Sequence, residues 1–398
     1  MSATLEQART PRALLDKLPM PRQTGAYTVV LGLVLVWAVF QALNSNFLSP
    51  RNLSNLLLQI AVLGTLAVGM VIVLVLGEID LSVGAIAGVS AAVLAVLITD
   101  RGVPAWLAMV AALLVGAVIG LIHGLIITSA GIPSFIITLA GLLVWQGVQL
   151  ALVGDGGQIA IQDPFIRSIA STYAVPAAGW VLALIAVAAF AGARLLHRRR
   201  RIRHGLATAP LSTELVKTGV VAVFALAVTW LLNSYFGIPW VFILLLLLVL
   251  GGGVLMTETG FGRHITAIGG NREAARRAGI PVRRTTVIVF VLISAIAALA
   301  GIIEASRQFS ASNALGGGTL QLNAIAAAVI GGTSLFGGRG RVYHAILGAL
   351  VVGSVQNGLD LLGEPAAVKN IATGMILVVA VVIDALGRRR RVARGGTE

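Results

Sequence analysis

The chain has 398 residues, of which 58% are hydrophobic and only 11% are charged. Soluble globular proteins average about 45–50% apolar and about 25% charged residues, so this composition excludes a soluble globular fold and a disordered chain. The net charge of +14 does not indicate nucleic-acid binding, because the basic residues cluster between and outside apolar blocks, and the lack of cysteine excludes disulfides and thiolate metal sites.

In chain order, twelve apolar blocks predict transmembrane helices, since a helix needs about 20 apolar residues to cross a bilayer. The blocks are Gly25–Leu43, Asn52–Leu76, Val83–Ile98, Pro104–Thr128, Ser134–Val153, Ala174–Leu196, Gly219–Phe236, Pro239–Met256, Thr285–Ser306, Thr319–Leu335, Val342–Leu362 and Ala366–Leu386. The third and tenth are short for a span and predict either tilted segments beside wet cavities or broken helices. The predicted fold is all-α and polytopic, with about 10–12 spans.

Basic residues orient these helices, because Lys and Arg are retained in cytoplasmic loops. They cluster before the first block, after the sixth, after the eighth and after the last, at residues 9–22, 198–217, 263–284 and 388–394. An even number of spans places all four clusters, and both termini, on the cytoplasmic side. The expected division is a cytoplasmic N-terminal segment, a membrane domain and a basic tail, at residues 1–24, 25–386 and 387–398.

Residues 52–153 and 285–386 resemble each other at an offset of about 233 residues. Gly116, Gly120 and Gly124 have glycine counterparts in the second stretch, and a Gly-x-Pro sequence follows in both. Because the first stretch begins outside and the second inside, the repeats would be inverted, as in many transporters. The alternative is that Gly-, Ala- and Leu-rich helices resemble one another by composition alone. The three glycines are four residues apart, which predicts close packing against a neighbouring helix.

The most polar segment at a membrane border contains Glu78, Asp80 and Ser82. Carboxylates beside apolar helices are costly to dehydrate, so they indicate a transport path or gate. The alternative is structural, with Asp80 or Ser82 capping the helix that begins near Val83. Polar side chains inside the apolar blocks are further candidates for the path, namely Gln146, Gln149, Gln356 and Asn357.

A second segment, residues 257–284, lies on the basic side between two spans. Asn271 is typical of a helix N-cap, and Gly279 and Pro281 end the short helix that follows. The small side chains of this helix, at Ala274, Ala275 and Ala278, suit insertion into a groove on a partner.

No catalytic constellation is present, so we expect no enzymatic activity in this chain. The glycine-rich stretch Gly331–Arg341 superficially resembles a phosphate-binding loop, but no Gly-Lys-Ser/Thr sequence occurs, and a tight turn is predicted instead. The five histidines lack metal-ligand spacing within any helix.

Together these segments resemble the permease subunits of bacterial monosaccharide ABC importers, the ribose, galactose, arabinose and xylose systems. The motifs that carry the resemblance are Gly77–Gly84, Gly269–Ala275, Ile325–Ser334 and Asn357–Leu359. The similarity extends over roughly Leu31 to Leu386. An insertion at residues 174–236 adds two spans and is similar to the longer xylose permeases, so a pentose is the expected cargo.

The resemblance implies that two copies of the permease form a channel within membrane lipid. It implies that a cytoplasmic ATPase, which would bind the ATP, drives transport and that a periplasmic protein delivers the sugar. This chain itself would need no cofactor. The ATPase-coupling segment of the family corresponds here to Gly262, Arg263, Gly269, Gly270, Asn271, Ala274, Ala275 and Gly279.

Inverted repeats are equally typical of ion-coupled secondary transporters of small polar solutes. Such carriers usually place titratable groups near the membrane midplane, whereas Glu78, Asp80 and Glu304 are expected near span ends. A membrane enzyme or receptor subunit is the third alternative, and no motif supports it.

Overall fold

The computed structural model describes residues 24–208 and 210–393. Nearly all of the predicted N-terminal segment 1–24, and residues 394–398 of the predicted tail, lie outside the described residues. Within the described residues the chain forms fifteen helices and one two-stranded sheet.

The first eight helices and the first strand are α1 (Thr24–Leu43), α2 (Pro50–Leu76), α3 (Val83–Thr99), α4 (Ala105–Ala130), α5 (Ser134–Val153), β1 (Gln158–Ala160), α6 (Pro164–Ser171), α7 (Pro176–Arg203) and α8 (Leu211–Asn233). The remaining elements are α9 (Trp240–Glu258), α10 (Gly260–Gly270), α11 (Arg272–Arg277), α12 (Val282–Gln308), β2 (Ser310–Ser312), α13 (Gly318–Ile330), α14 (His344–Leu361) and α15 (Ala366–Ala393).

Each of the twelve predicted apolar blocks contains a helix. Seven helices within the described residues are long and apolar enough to cross a membrane, namely α2, α4, α5, α7, α8, α9 and α12. Shorter apolar helices occur at Val29–Leu43, Val83–Thr99, Thr319–Ile330 and Ala366–Val379. The polytopic helical fold is thereby confirmed, whereas the number twelve stays a prediction.

Helices α2 and α12 lie at the centre of the bundle. In α2, 89% of the most apolar stretch is buried inside the protein, and in α12, 67% of that stretch is buried. A helix that is apolar on all sides is buried either in protein or in lipid, and α2 is buried in protein. Gly69 allows α2 to approach α12 closely, because a Cβ atom there would lie 3.0 Å from Ile293.

The predicted repeats contain two sets of four helices, α2 to α5 and α12 to α15, in which a long buried helix precedes a short one. The contacts match: α3 and α4 pack on α12, and α13 and α14 pack on α2. On α4 and α12, the facing residues run in opposite order, from Gly116 through Gly120 to Gly124 against Ser294, Phe290 and Val287.

Because the short connections 77–82 and 100–104 reverse the chain, α2 runs parallel to α4 and therefore antiparallel to α12. The matching contacts and this reversal support an inverted repeat. The glycines also allow the close approach that their spacing predicts, since a Cβ atom at Gly120 would lie 2.2 Å from the carbonyl oxygen of Phe290.

Two ends of the bundle can be distinguished. We call the end with α10, α11 and residues 331–341 the basic end, and the end with the sheet and α6 the opposite end. The sequence does not predict the sheet, in which Gln158 pairs with Ser312 in an antiparallel register. Helix α6 is fixed beside it by Ser306, whose hydroxyl donates to Ile166 O at 2.6 Å and accepts from Ala170 N at 3.0 Å.

The inserted helices α7 and α8 pack mainly on each other. Only 11% of the most apolar stretch of each is buried, so both expose most of their apolar surface. Arg194 of α7 donates two hydrogen bonds to Glu214 of α8, at 2.6 and 3.0 Å, and thereby joins the pair near the basic end.

Candidate functional site

Three segments meet at the basic end, where α2 ends, and their contact is through backbone. The amide of Gly338 donates to the carbonyl oxygen of Val75 at 2.9 Å. A Cβ atom at Gly269, in the last turn of α10, would lie 1.8 Å from the same oxygen. Gly77 and Gly337 adopt left-handed backbone, each with φ of 85°. We call this meeting point of Val75, Gly77, Gly269, Gly337 and Gly338 the glycine junction.

The predicted coupling segment forms α10 and α11, on the outside of the glycine junction. Thr259 caps α10 by accepting from Gly262 N at 3.2 Å, and Asn271 caps α11 by accepting from Ala274 N at 2.9 Å. Gly279, with φ of 80°, follows α11 as the sequence predicts. The segment is therefore a pair of short, separately capped helices.

Exposure divides the predicted coupling residues into two groups. The exposed ones are Arg263, Gly270, Asn271, Ala274 and Gly279. Gly262 is buried and Gly269 is half-buried in the glycine junction.

Ala275 differs from the expectation that it enters a groove on a partner. Its side chain is only 5% exposed and packs within the hydrophobic core of its own chain. Ala274 of α11 and Ala278, which follows the helix, are exposed. The buried alanine anchors the helix, and the two exposed alanines lie on its surface.

Glu78 lies beside the coupling segment. Its carboxylate accepts a hydrogen bond from the guanidinium of Arg272, the first residue of α11. The pair links the connection 77–82, between α2 and α3, to the coupling segment.

The rest of the connection 77–82 is bonded to α5, with Asp80 and Ser82 buried and Ile79 and Leu81 half-buried. Ile79 N donates to Ser134 Oγ, and Leu81 N donates to Thr138 Oγ1, both at 3.1 Å. Non-helical backbone at membrane depth needs such partners, because no water is available to satisfy it in lipid. Two hydroxyls from the first turns of α5 thus hold this connection in place.

Asp80 and Ser82 belong to a buried polar chain that extends into α4 and α5. Asp80 Oδ1 accepts from Ser82 N at 2.8 Å and from Ser82 Oγ at 2.6 Å. Ser82 Oγ lies 3.4 Å from His123 Nδ1, and Trp145 Nε1 donates to His123 Nε2 at 3.0 Å. The second oxygen of Asp80 is buried and has no hydrogen-bond partner among the described residues.

This geometry contradicts capping of α3 by Asp80 or Ser82 and supports the other part of the structural alternative, a role of Asp80 in the structure of the loop. Ser82 occupies the N-cap position but makes no side-chain capping bond, and Asp80 bonds to Ser82 itself. Asp80 therefore shapes the connection rather than the helix end, and its unpartnered oxygen remains a candidate for the path.

The four amide side chains proposed for the transport path fall into two groups: Asn357 and Gln149 are buried and hydrogen-bonded, whereas Gln146 and Gln356 are half-buried. Asn357 of α14 is buried and accepts from Asn52 Nδ2 at 2.7 Å, which ties α14 to α2. Gln149 Nε2 donates to the carbonyl oxygens of Ser312 and Leu315, both at 2.8 Å.

Sequence reasoning missed His123, Trp145 and Arg272. A signal existed for His123, since an ionisable side chain within an apolar block is itself unusual. No sequence signal marked Arg272, because its partner, Glu78, lies 194 positions away. Among the described residues no group of three or more His, Cys, Asp or Glu side chains could hold a metal ion.

Comparison with known proteins identifies the family that has this architecture. Residues 52–381 match the family model described as branched-chain amino acid transport system / permease component. The chain is 39% identical over 345 residues to the xylose transport system permease of Escherichia coli (strain K12), covering 86% of this chain and 87% of that protein.

Two further relatives extend the comparison. The xylose permease of Haemophilus influenzae is 36% identical, covering 92% of this chain and 97% of that protein. The ribose import permease of Bacillus subtilis (strain 168) is 35% identical, covering 89% and 91%. No solved structure matches the chain. The resemblance inferred from the motifs is confirmed, and the chain belongs to this family of transport permeases, with the xylose and ribose permeases among its relatives.

Proposed function

We propose that this permease is the membrane-spanning subunit of an ATP-driven monosaccharide importer, with a pentose such as xylose as cargo. Its relatives are named as xylose and ribose permeases, which supports a sugar as the transported solute. The proposed partners are a second copy of the chain, a cytoplasmic ATPase that binds the ATP, and a periplasmic sugar-binding protein. The proposed setting is the bacterial inner membrane, with the basic end and both termini in the cytoplasm.

One observation carries the proposal: the exposed helix α11 is joined to the buried connection 77–82 by Arg272 and Glu78. The glycine junction provides a second link, since backbone of α10 and of residues 331–341 lies against the last turn of α2. An exposed helix linked in this way to the centre of a bundle is what a coupling element requires.

The mechanism follows from these contacts. Movement of the ATPase would displace α10 and α11 as capped units, because each helix has its own side-chain N-cap. The displacement would reach α2 at the glycine junction, where no side chains can absorb it. It would reach the connection 77–82 through Glu78. This chain would thus open and close a path and perform no covalent chemistry.

The ion-coupled carrier remains the second candidate. Asp80 and His123 favour it, because both are buried and titratable and both belong to the polar chain inside the bundle. In that case the exposed segment α10–α11 would have no assigned purpose.

The test is reconstitution of the chain in proteoliposomes with the proposed partners, an ATPase and a sugar-binding protein from the same organism. We expect uptake of labelled xylose only with ATP at the basic end, and no loss of uptake when ionophores collapse ion gradients. Uptake that needs an ion gradient and proceeds without ATP would establish the carrier and overturn the proposal.

A further inference from the structure

A pocket of about 660 Å³ opens at the opposite end, far from the glycine junction and from the polar chain of Asp80. Arg51, Ser54 and Asn55, from the first turns of α2, form one wall. Tyr173 and Tyr235, which flank the inserted helices α7 and α8, also line the pocket, and we call these two residues the tyrosine wall. Small-molecule sites in proteins typically occupy about 300–1,000 Å³, so the pocket has room for a small ligand.

The lining has the chemistry of a site for a polyhydroxylated ligand. A sugar hydroxyl both donates and accepts hydrogen bonds, and amides, hydroxyls and a guanidinium supply both functions. The carbon–hydrogen face of a sugar ring is apolar and packs against aromatic rings, which the two tyrosines offer. The lining contains no acidic side chain, so nothing in it requires a cationic ligand.

Ser54 supplies an independent observation. Its side chain is only 1% exposed, yet its hydroxyl has no hydrogen-bond partner among the described residues. A serine within a helix commonly bonds to the carbonyl oxygen of the preceding turn, and a buried hydroxyl without any partner is destabilising. The oxygen is not exposed to the pocket, so a ligand hydroxyl would satisfy this group after the Ser54 side chain changes rotamer.

The tyrosine wall is held in position by the insertion. The rings of Tyr173 and Tyr235 each pack on Phe236, with centroids 5.4 and 4.4 Å away. The amide of Trp240 donates to the carbonyl oxygen of Thr172 at 3.1 Å, which fixes the chain beside Tyr173. Both rings therefore contact the same residue, Phe236, at the end of the insertion.

We propose that this pocket is a monosaccharide-binding site, at which the permease itself holds a sugar at the surface opposite the coupling segment. The inference rests on the proposed function, because transport of a sugar is what would bring one to this surface. It adds that the permease recognises the sugar directly and that two tyrosines flanking the inserted helices belong to the site.

The test is binding of D-xylose, and then D-ribose, to the full chain alone in lipid nanodiscs, measured by saturation-transfer NMR. We expect saturable binding in the millimolar range. Ser54→Ala should weaken it by up to about tenfold, the effect of one lost hydrogen bond. Ser90→Ala is the matched control, since Ser90 is equally buried and equally unpartnered but lies in α3, outside the pocket lining.

A second pair of variants tests the aromatic wall. Tyr235→Ala should abolish detectable binding, and Trp106→Ala, an exposed aromatic outside the pocket lining, should leave it unchanged. Absence of saturable binding, or equal binding by Ser54→Ala and Ser90→Ala, would overturn the inference. Displacement of the sugar by inorganic phosphate would also overturn it and would indicate an anion site at Arg51.

These outcomes separate the two proposals. ATP-driven sugar uptake by the reconstituted complex, without sugar binding to the chain alone, would reject the pocket and leave the proposed function intact. Sugar binding to the chain alone, with ion-driven uptake, would retain the pocket and reject the ATP-driven importer.

Discussion

Arg272 donates a hydrogen bond to Glu78, and the pair joins the first residue of α11 to the connection between α2 and α3. The side chain of Glu78 is 10% exposed, whereas that of Arg272 is 50% exposed. One end of the ion pair is therefore in the interior and the other at the surface. A force applied to the exposed helix has a charged contact through which to reach the buried connection.

We expect Arg272→Ala to lower the number of sugars transported per ATP hydrolysed. A half-exposed ion pair contributes about 1 kcal/mol or less. The number of sugars transported per ATP should therefore fall by about fivefold at most. Joint measurement of uptake and phosphate release in proteoliposomes gives this ratio.

Exchanging the charges, with Arg272→Glu and Glu78→Arg together, should restore much of the ratio. Arg194→Ala serves as control, because it breaks an ion pair of the inserted helices away from the coupling segment. An unchanged ratio in Arg272→Ala would show that the pair is not part of the coupling.

The glycine junction predicts unequal effects for two adjacent glycines. A Cβ atom at Gly269 would lie 1.8 Å from Val75 O and 2.6 Å from Gly338 N, and backbone cannot move aside as a side chain can. At Gly270 no atom lies within 4 Å. We expect Gly269→Ala to destabilise the fold by about 1–3 kcal/mol or more.

Gly270→Ala should be neutral or stabilise the protein by up to about 1 kcal/mol. Thermal unfolding of the purified variants in detergent gives the comparison. Equal unfolding temperatures for the two variants would mean that the junction is looser than the backbone contacts indicate.

Two neighbouring alanines of α11 differ in burial, since Ala275 is buried and Ala274 is exposed. Ala275→Glu places an unpaired charge in the core, and we expect a loss of about 3–5 kcal/mol in stability together with poor expression. Ala274→Glu lies on the exposed face, near the helix N-terminus where acidic residues are favourable. It should leave stability unchanged and reduce co-purification of the ATPase.

Permease abundance and unfolding temperature, measured beside ATPase recovery, distinguish the two effects. Full ATPase recovery by Ala274→Glu would remove α11 from the proposed contact surface.

The predicted topology can be tested by labelling, because the chain contains no cysteine. Gln158 in β1 and Ser212 in α8 are both exposed. In intact cells, Gln158→Cys should react with a membrane-impermeant thiol reagent, and Ser212→Cys should react only after the membrane is permeabilised. The reverse pattern would invert the proposed orientation.

The twelve helices of the apolar blocks were predictable because hydrophobicity alone determines where such blocks lie, whereas α6 and α10 belong to no apolar block. The ends of α11, at Asn271 and Gly279, were equally predictable, since capping depends on local chemistry. The sheet was not, because each of its strands has three residues and the two are far apart in sequence. No periodicity can emerge from three residues.

The site was less predictable than the fold. Glu78 and Asp80 are separated by one residue, yet one pairs with α11 and the other bonds to Ser82. Composition marks both as polar residues at a border but does not select their partners. Helix α11 has six residues, too few for a pattern to show that Ala275 faces inward.

The inserted hairpin of α7 and α8 is attached to the bundle mainly at one end. Within it, the buried residues are Gly179 and Ala183 of α7, and Thr229 and Leu232 of α8, all in the halves near the tyrosine wall. The remaining length packs mainly helix against helix, so most of its apolar surface is left for the surrounding lipid to cover.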